Sequence, residues 1–203
     1  FQSVGSVAIC SVVEPCKDLL DTCAAPGGKS VLLSQKCGHV TAFELHEHRA
    51  GLIAAYAERM RRENIEIVVT DSAKPEKRFF GAFDAVLCDV PCSGFGVAFE
   101  NPDIKRNKDE NALKELVFLQ RAILQNCARY VKEGGALYYS TCSFFGEENS
   151  DNVEDFLKNN PEFELCAADS PLEHETKKCG LQFLPDTAGG GFFFAKMRKK
   201  RLP

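Results

Sequence analysis

An α/β fold, with a mostly parallel sheet and helices on both faces, is predicted for this chain by three observations. Short apolar runs alternate with segments of helical period along the whole length, the pattern of strand–helix–strand units. Each of the first runs closes on a glycine turn or an acidic residue, as strands do when they deliver side chains to one edge of a parallel sheet. A chain of 203 residues with 44% hydrophobic content is long enough to bury one full core, so a single domain over 1–203 is expected.

The elements follow in order. The opening stretch to Val13 is small and apolar, and Glu14-Pro15 interrupts it. A first strand is predicted near Asp18 to Thr22, then a glycine-rich turn and a helix from Gly28 to Lys36, which Gly38 ends. His39 to Phe43 reads as the second strand, closing on Glu44. Leu52, Ile53, Tyr56 and Met60 recur at helical spacing between His46 and Glu63, with Arg59, Arg61 and Arg62 at the carboxyl end, where cations suit the helix dipole. Ile65 to Thr70 is a third strand ending at Asp71, and Phe83 to Cys88 a fourth ending at Asp89. From Val90 to about Asn111 the chain is polar and contains proline, a long loop placed to cover a substrate. A helix from Asn111 to Lys132, stopped by Gly134-Gly135, leads to a fifth strand at Ala136 to Cys142. Glu147 to Asn160 reads as a helix, Phe163 to Ala167 as a short strand, 168–188 as polar and irregular, and Phe192 to Met197 as a last strand at the far edge, antiparallel to its neighbours.

Composition narrows the function classes. The formal net charge of -4 gives no general attraction for polyanions, so a nucleic-acid partner requires local basic patches. Arg59, Arg61 and Arg62 form one candidate, and the run Lys196, Arg198, Lys199, Lys200 and Arg201 a second. Ten cysteines lie mostly in apolar, strand-like runs, which fits buried free thiols in a reducing cytoplasm better than a disulfide scaffold. No Cys-x-x-Cys pair starts a zinc site, no long apolar span crosses a membrane, and no metal is expected. A monomer is expected.

The segment Cys23-Ala24-Ala25-Pro26-Gly27-Gly28-Lys29-Ser30, between a strand and a helix, predicts a nucleotide-like ligand. Glycines let the backbone approach such a ligand and the helix start offers N–H groups. A phosphate loop would match at Gly28, Lys29 and Ser30 but requires a glycine where Cys23 stands. Glu44, at the end of the second strand, is placed to accept hydrogen bonds from ribose hydroxyls, which a phosphate loop does not need. Asp71 and Asp89 converge on the same edge, as do Cys92 after the fourth strand and Cys142 at the end of the fifth. Two thiols and a carboxylate at a nucleotide-binding edge suit covalent attack on an electrophilic pyrimidine. Thiolate addition at carbon 6 of cytosine makes carbon 5 nucleophilic enough to take a methyl group, and Asp89 could stabilise the charge that develops. Either cysteine could be the nucleophile on chemistry alone.

Cys23-Ala24-Ala25-Pro26-Gly27-Gly28-Lys29, Asp89-Val90-Pro91-Cys92-Ser93-Gly94 and Thr141-Cys142-Ser143, followed by Glu147-Glu148-Asn149, resemble the RNA cytosine-5 methyltransferases of the Sun (RsmB-like) family. Asn101-Pro102-Asp103-Ile104-Lys105 and Gly191 to Lys196 resemble the bacterial ribosomal RNA branch, and the likeness covers nearly the whole chain. The resemblance implies a Rossmann-like methyltransferase fold with S-adenosylmethionine as donor and RNA as substrate. It implies Cys23 to Lys29 around the methionine part, Glu44 on the ribose, Asp71 near the adenine and Asp89 facing cofactor and base. It further implies Cys142 as nucleophile and Cys92 as the thiol that assists product release, whereas DNA cytosine-5 methyltransferases use the Pro-Cys thiol. Gly189-Gly190-Gly191 stands where the family usually has Gly-Asp-Gly, and the tryptophan common after the Asp-Ile-Lys segment is missing. The amino-terminal RNA-binding region of the branch is not among these residues, so the expectation is a catalytic domain alone. The alternatives are a non-catalytic RNA-binding or ribosome-assembly factor on the same fold and, further off, a phosphate-loop NTPase.

Overall fold

The computed structural model describes residues 4–99, 104, 110–185 and 190–201. Its strands are β1 (Asp18–Asp21), β2 (His39–Glu44), β3 (Ile65–Val69), β4 (Phe83–Asp89), β5 (Val131–Thr141), β6 (Phe163–Cys166), β7 (Glu175–Lys177), β8 (Gly180–Phe183) and β9 (Phe192–Lys199). The helices are α1 (Val4–Val12), α2 (Gly28–Leu33), α3 (Glu47–Arg59), α4 (Glu110–Cys127) and α5 (Ser150–Asn159). One sheet runs in the order β3-β2-β1-β4-β5-β9-β8-β7, with β6 also on β9. β1 to β5 are mutually parallel. β9 enters antiparallel to β5, as expected, but it is not the edge strand: β6 and β8 both pair with it on the other side, because the segment read as irregular supplies further strands.

Alternation along each strand sends successive side chains to opposite faces. Leu20, Val86, Leu137, Tyr139 and Phe193 pack in the layer under α4 and α5. Their neighbours Leu19, Leu87, Tyr138 and Phe194 pack with α1 and α2 on the other face. Leu19 and Leu20 are both fully buried, each contributing about 1.5–3 kcal/mol of transfer free energy. Helices therefore cover both faces, as the alternating sequence pattern requires. β1 turns to β2 and β3 on one side while β4 and β5 continue on the other, so a switch point opens beyond the carboxyl ends of β1 and β4.

Several elements differ from the sequence reading. The opening apolar stretch is helix α1, whose Ala8, Ile9 and Val12 close one core layer. The helix predicted to reach Lys132 ends at Cys127, and β5 already begins at Val131. Gly134-Gly135 does not stop a helix. It lies inside β5, where Gly134 takes φ 76° and the register to β4 shifts. The stretch read as irregular contains the β7–β8 hairpin, which pairs on through β8 to β9. Of the long loop after Asp89, Phe95–Val97 is a 3-10 turn, whereas Asn101, Pro102, Asp103, Lys105 and Arg106 lie outside the described residues, as does Gly189.

Of the basic candidates, Arg59 ends α3 and Arg61 and Arg62 follow it, just before Asn64, whose carbonyl accepts from Val40 near the start of β2, at the edge opposite the strand ends that carry Glu44 and Asp89. The carboxyl-terminal run is largely β9: Lys196 pairs with Glu14 at 2.7 Å, and Lys199 and Lys200 donate to the carbonyls of Val131 and Pro161. All ten cysteines are free, but only Cys37, Cys88, Cys127 and Cys179 are buried, and the other six are half-buried. Among the described residues no helix is long and apolar enough to cross a membrane.

Candidate functional site

The glycine turn leaves β1 stitched to both neighbours. Thr22 N donates to Leu87 O at 3.0 Å, and Ala24 N to Phe43 O at 2.9 Å. Gly27 takes φ 104°, and a Cβ there would lie 3.1 Å from Ile53 Cα. Gly27 is thus required by conformation and by the approach of α3. Gly28 needs neither, since its Cβ would meet a Tyr56 ring carbon at an ordinary 3.8 Å. From α2, Lys29 Nζ reaches Asp89 Oδ2 at 2.7 Å, and Ser30 Oγ donates to Asp21 Oδ2 at 2.6 Å. Burial disfavours the Lys29 charge, but Asp89 and then Asp21 outweigh it, and its pKa sits above the ordinary value. Lys29 is thus held by Asp89 and Ser30 by Asp21.

Three acidic side chains stand in a row at the ends of successive strands. Glu44, only 4% exposed, accepts from His46 N at 3.1 Å and faces Arg49 at 3.5 Å. Asp71 accepts from Ala73 N at 3.0 Å and pairs with Lys74 at 3.0 Å. Partial burial pushes its pKa up, but these contacts prevail and hold it below the usual value. Asp89 accepts from Ser140 Oγ at 2.7 Å as well as from Lys29. All three line a cleft of about 400 Å³ together with Cys92 and Cys142. A second cleft of about 270 Å³ adjoins it, walled by Asp21, Ala24, Pro26, Gly28, Lys29 and Asp89. Cys23 and Ala25 belong to both, whereas Gly27 lines neither.

The thiols meet where β4 and β5 end. Cys92 Sγ and Cys142 Sγ are 3.0 Å apart, and Cys142 N donates to Cys92 Sγ at 3.2 Å. Hydrogen bonding from Cys92 lowers the pKa of Cys142, against its partial burial and the repulsion of Asp89, with Lys29 adding to the fall. Cys92 is pushed the other way, by Cys142 and by burial. The pair can therefore present one thiolate beside an oriented carboxylate.

Two further carboxylates, to which the sequence assigns no role, belong to the site. Asp21 ends β1 at the start of the glycine turn. It is fully buried, its Oδ1 has no partner in hydrogen-bonding geometry, and burial raises its pKa to about 6. Glu148 belongs to a recognisable motif but received no role. It is fully buried and accepts from Ser93 N at 2.8 Å, Ser93 Oγ at 2.6 Å, Gln120 Nε2 at 2.9 Å and Ser143 Oγ. Its contact with Ser93 spans 55 residues, a separation that no local pattern exposes. Among the described residues no cluster of three or more His, Cys, Asp or Glu is arranged to hold a metal ion.

Comparisons with known proteins give the family. The ribosomal RNA small subunit methyltransferase B of Sodalis glossinidius is 39% identical over 90% of this chain and 42% of its own length. The Bacillus subtilis protein described as a "Probable ribosomal RNA small subunit methyltransferase B" is 36% identical over 98% of this chain and 47% of its own. The chain thus spans somewhat under half the length of these curated relatives. The crystal structure of PH0851 superposes with a TM-score of 0.89 at 33% identity, covering 98% of this chain and 46% of that one. NSun6 from Pyrococcus horikoshii, solved with SFG, gives 0.86 at 27% identity, covering 99% of this chain and 53% of its own. Residues 11–198 match the model of the 16S rRNA methyltransferase RsmB/F family, and the chain belongs to that family.

Proposed function

We propose that this chain is the catalytic part of an S-adenosylmethionine-dependent methyltransferase that modifies carbon 5 of cytosine in ribosomal RNA through a covalent bond from Cys142 to carbon 6. The observation that carries the reading is the pair of thiols at 3.0 Å beside the Lys29–Asp89 ion pair. A ribosomal RNA methyltransferase acting on a ring nitrogen or a ribose would have no use for two apposed thiols. Family membership supplies the wider class.

The cleft suits the donor. Glu44 and Asp71 stand at adjacent strand ends where ribose and adenine would lie, and the acidic lining favours a cationic sulfonium. Cys23 to Lys29 would flank the methionine part. When bound, S-adenosylmethionine supplies an electrophilic methyl group. Cys142 donates its thiolate pair to carbon 6, which raises electron density at carbon 5. Asp89, fixed by Lys29 and Ser140, accepts a hydrogen bond from the exocyclic amine and orients the ring for attack. After methyl transfer, loss of the carbon 5 proton lets the carbon–sulfur pair return to Cys142, and Cys92, in contact with that sulfur, assists the elimination.

The test separates the two thiols. With a cytosine-containing RNA and the donor, Cys92→Ser is expected to accumulate a covalent protein–RNA band on a denaturing gel, because addition and transfer proceed while release fails. Cys142→Ser is expected to form no band and to transfer no methyl group, since a serine hydroxyl is far less ionised than a thiol. Adducts in Cys142→Ser alone would assign the nucleophile to Cys92. No adduct and no transfer in any form would favour a non-catalytic RNA-binding factor.

A further inference from the structure

We infer that Glu148 is a positioning residue for the thiol pair: by accepting hydrogen bonds from both Ser93 and Ser143, its buried carboxylate sets the approach of Cys92 to Cys142. The inference rests on the reading of Cys142 as a nucleophile. β4 and β5 are held in register up to Asp89 and Ser140, and Val90 N still donates to Ser140 O at 3.1 Å. Beyond that point the ladder ends, and the cysteines sit on separate turns 50 residues apart in sequence. Ser93 follows one cysteine and Ser143 the other, and both converge on Glu148, with Ser93 Oγ and Ser143 Oγ 3.0 Å from each other.

A carboxylate has about four acceptor sites, and four donors occupy them here. Glu148 is itself anchored from three elements. Gln120 of α4 donates to it and to Pro91 O, at 2.9 Å each, and Asn152 of α5 holds Gln120 Oε1 at 3.0 Å. Tyr139 of β5 donates to the Glu148 carbonyl at 2.6 Å. Both turns are thereby referred to one rigid point, so their sulfurs keep a fixed separation.

Alkylation of Cys142 by iodoacetamide reads the consequence without RNA or donor. The thiolate displaces iodide and forms a carbon–sulfur bond, and peptide mass spectrometry of the 203-residue chain follows the rate from about pH 6 to about pH 10, across the range in which thiols titrate. Cys142 faces Cys92, Asp89 and Lys29, so its titration reports their spacing. Glu148→Asp keeps the charge but is one methylene too short to reach both serines. It is expected to move the alkylation midpoint up by about one unit, a roughly tenfold slower reaction near neutrality. Ser143→Ala, which removes one arm and keeps Glu148, should move it in the same direction by less, and it decides the matter if Glu148→Asp does not fold. As a control, Gln125→Ala breaks the 2.9 Å contact to Asn160 and should lower the melting temperature without moving the midpoint. Midpoints within about 0.3 units of the parent, a twofold rate difference, in the folded clamp variants would overturn the inference. A midpoint that moves in a chain whose Cys92→Ser form traps no RNA would overturn the proposed reaction and leave the clamp standing.

Discussion

Along the ends of β1 to β3 the carboxylates keep few partners and face open clefts, whereas beyond β4 and β5 the polar groups close on one another. Glu44 accepts a single main-chain hydrogen bond and faces Arg49 at 3.5 Å, and Asp21 keeps a buried oxygen with no partner. Glu148, by contrast, is saturated, and the neighbouring Asn149 is held by Thr141 at 2.5 Å and by Gln182 at 3.1 Å. The difference teaches a division of labour. A surface that must accept and release a soluble ligand leaves acceptors unused, and a surface that must hold reacting atoms uses its hydrogen bonds internally so that nothing reorganises during reaction.

Substitutions at the two ends should therefore fail in different ways. The largest effect is expected at their junction: Asp89→Ala removes the group that serves both, and methyl transfer should fall by about 10²-fold, the cost of misplacing the reacting ring. Single-turnover kinetics check it, and a loss under tenfold would detach Asp89 from the chemistry. Next comes Asp21. Its folded pKa is raised to about 6, above the value of about 3.9 for an unfolded aspartate, so the native state binds the proton more tightly. Stability is then highest below about pH 4 as far as this group is concerned and is lost as pH rises through about 6, by on the order of 2–3 kcal/mol. Asp21→Asn should flatten that part of the profile in urea melts between about pH 4 and 7. An unchanged slope would show that another group titrates there.

Smaller effects distinguish binding from folding. Glu44→Ala should weaken S-adenosylmethionine by about 1.5–3 kcal/mol in calorimetry while leaving Cys142 alkylation unchanged, since Glu44 belongs to the open side. Equal affinity would move the ribose elsewhere. Gly27→Ala should cost about 1–2 kcal/mol of stability, because an alanine there must hold a positive φ against Ile53. Gly28→Ala, with its Cβ at an ordinary contact distance, should cost less than Gly27→Ala in the same thermal melt.

What could be read from the chain alone was whatever repeats locally. β1 to β4 and their terminal residues were legible because alternation and strand-ending acids are signals within a few positions, and Glu44, Asp71 and Asp89 do line one cleft. Cys92 and Cys142 were legible as a pair because each follows a strand that a parallel sheet brings to the same edge. The β7–β8 hairpin was missed: β7 is fully exposed and carries no apolar alternation, and it is pairing through β8 to β9 that holds it. The end of α4 was misplaced because Gly134-Gly135 reads as a helix stop until β4 is there to accept a bulged strand.

Sequence by itself determined the alternating architecture, the glycine turn, the acidic row and the family motifs, since each is encoded in spacings of a few residues. Only the tertiary structure decided which glycine is sterically required, that the carboxyl-terminal cations are engaged in β9, that Lys29 is spent on Asp89, and that Glu148 joins the two thiol turns. Each of these depends on atoms brought together across dozens of residues, where burial sets the cost of an unpaired group and the chain order carries no trace of the partner.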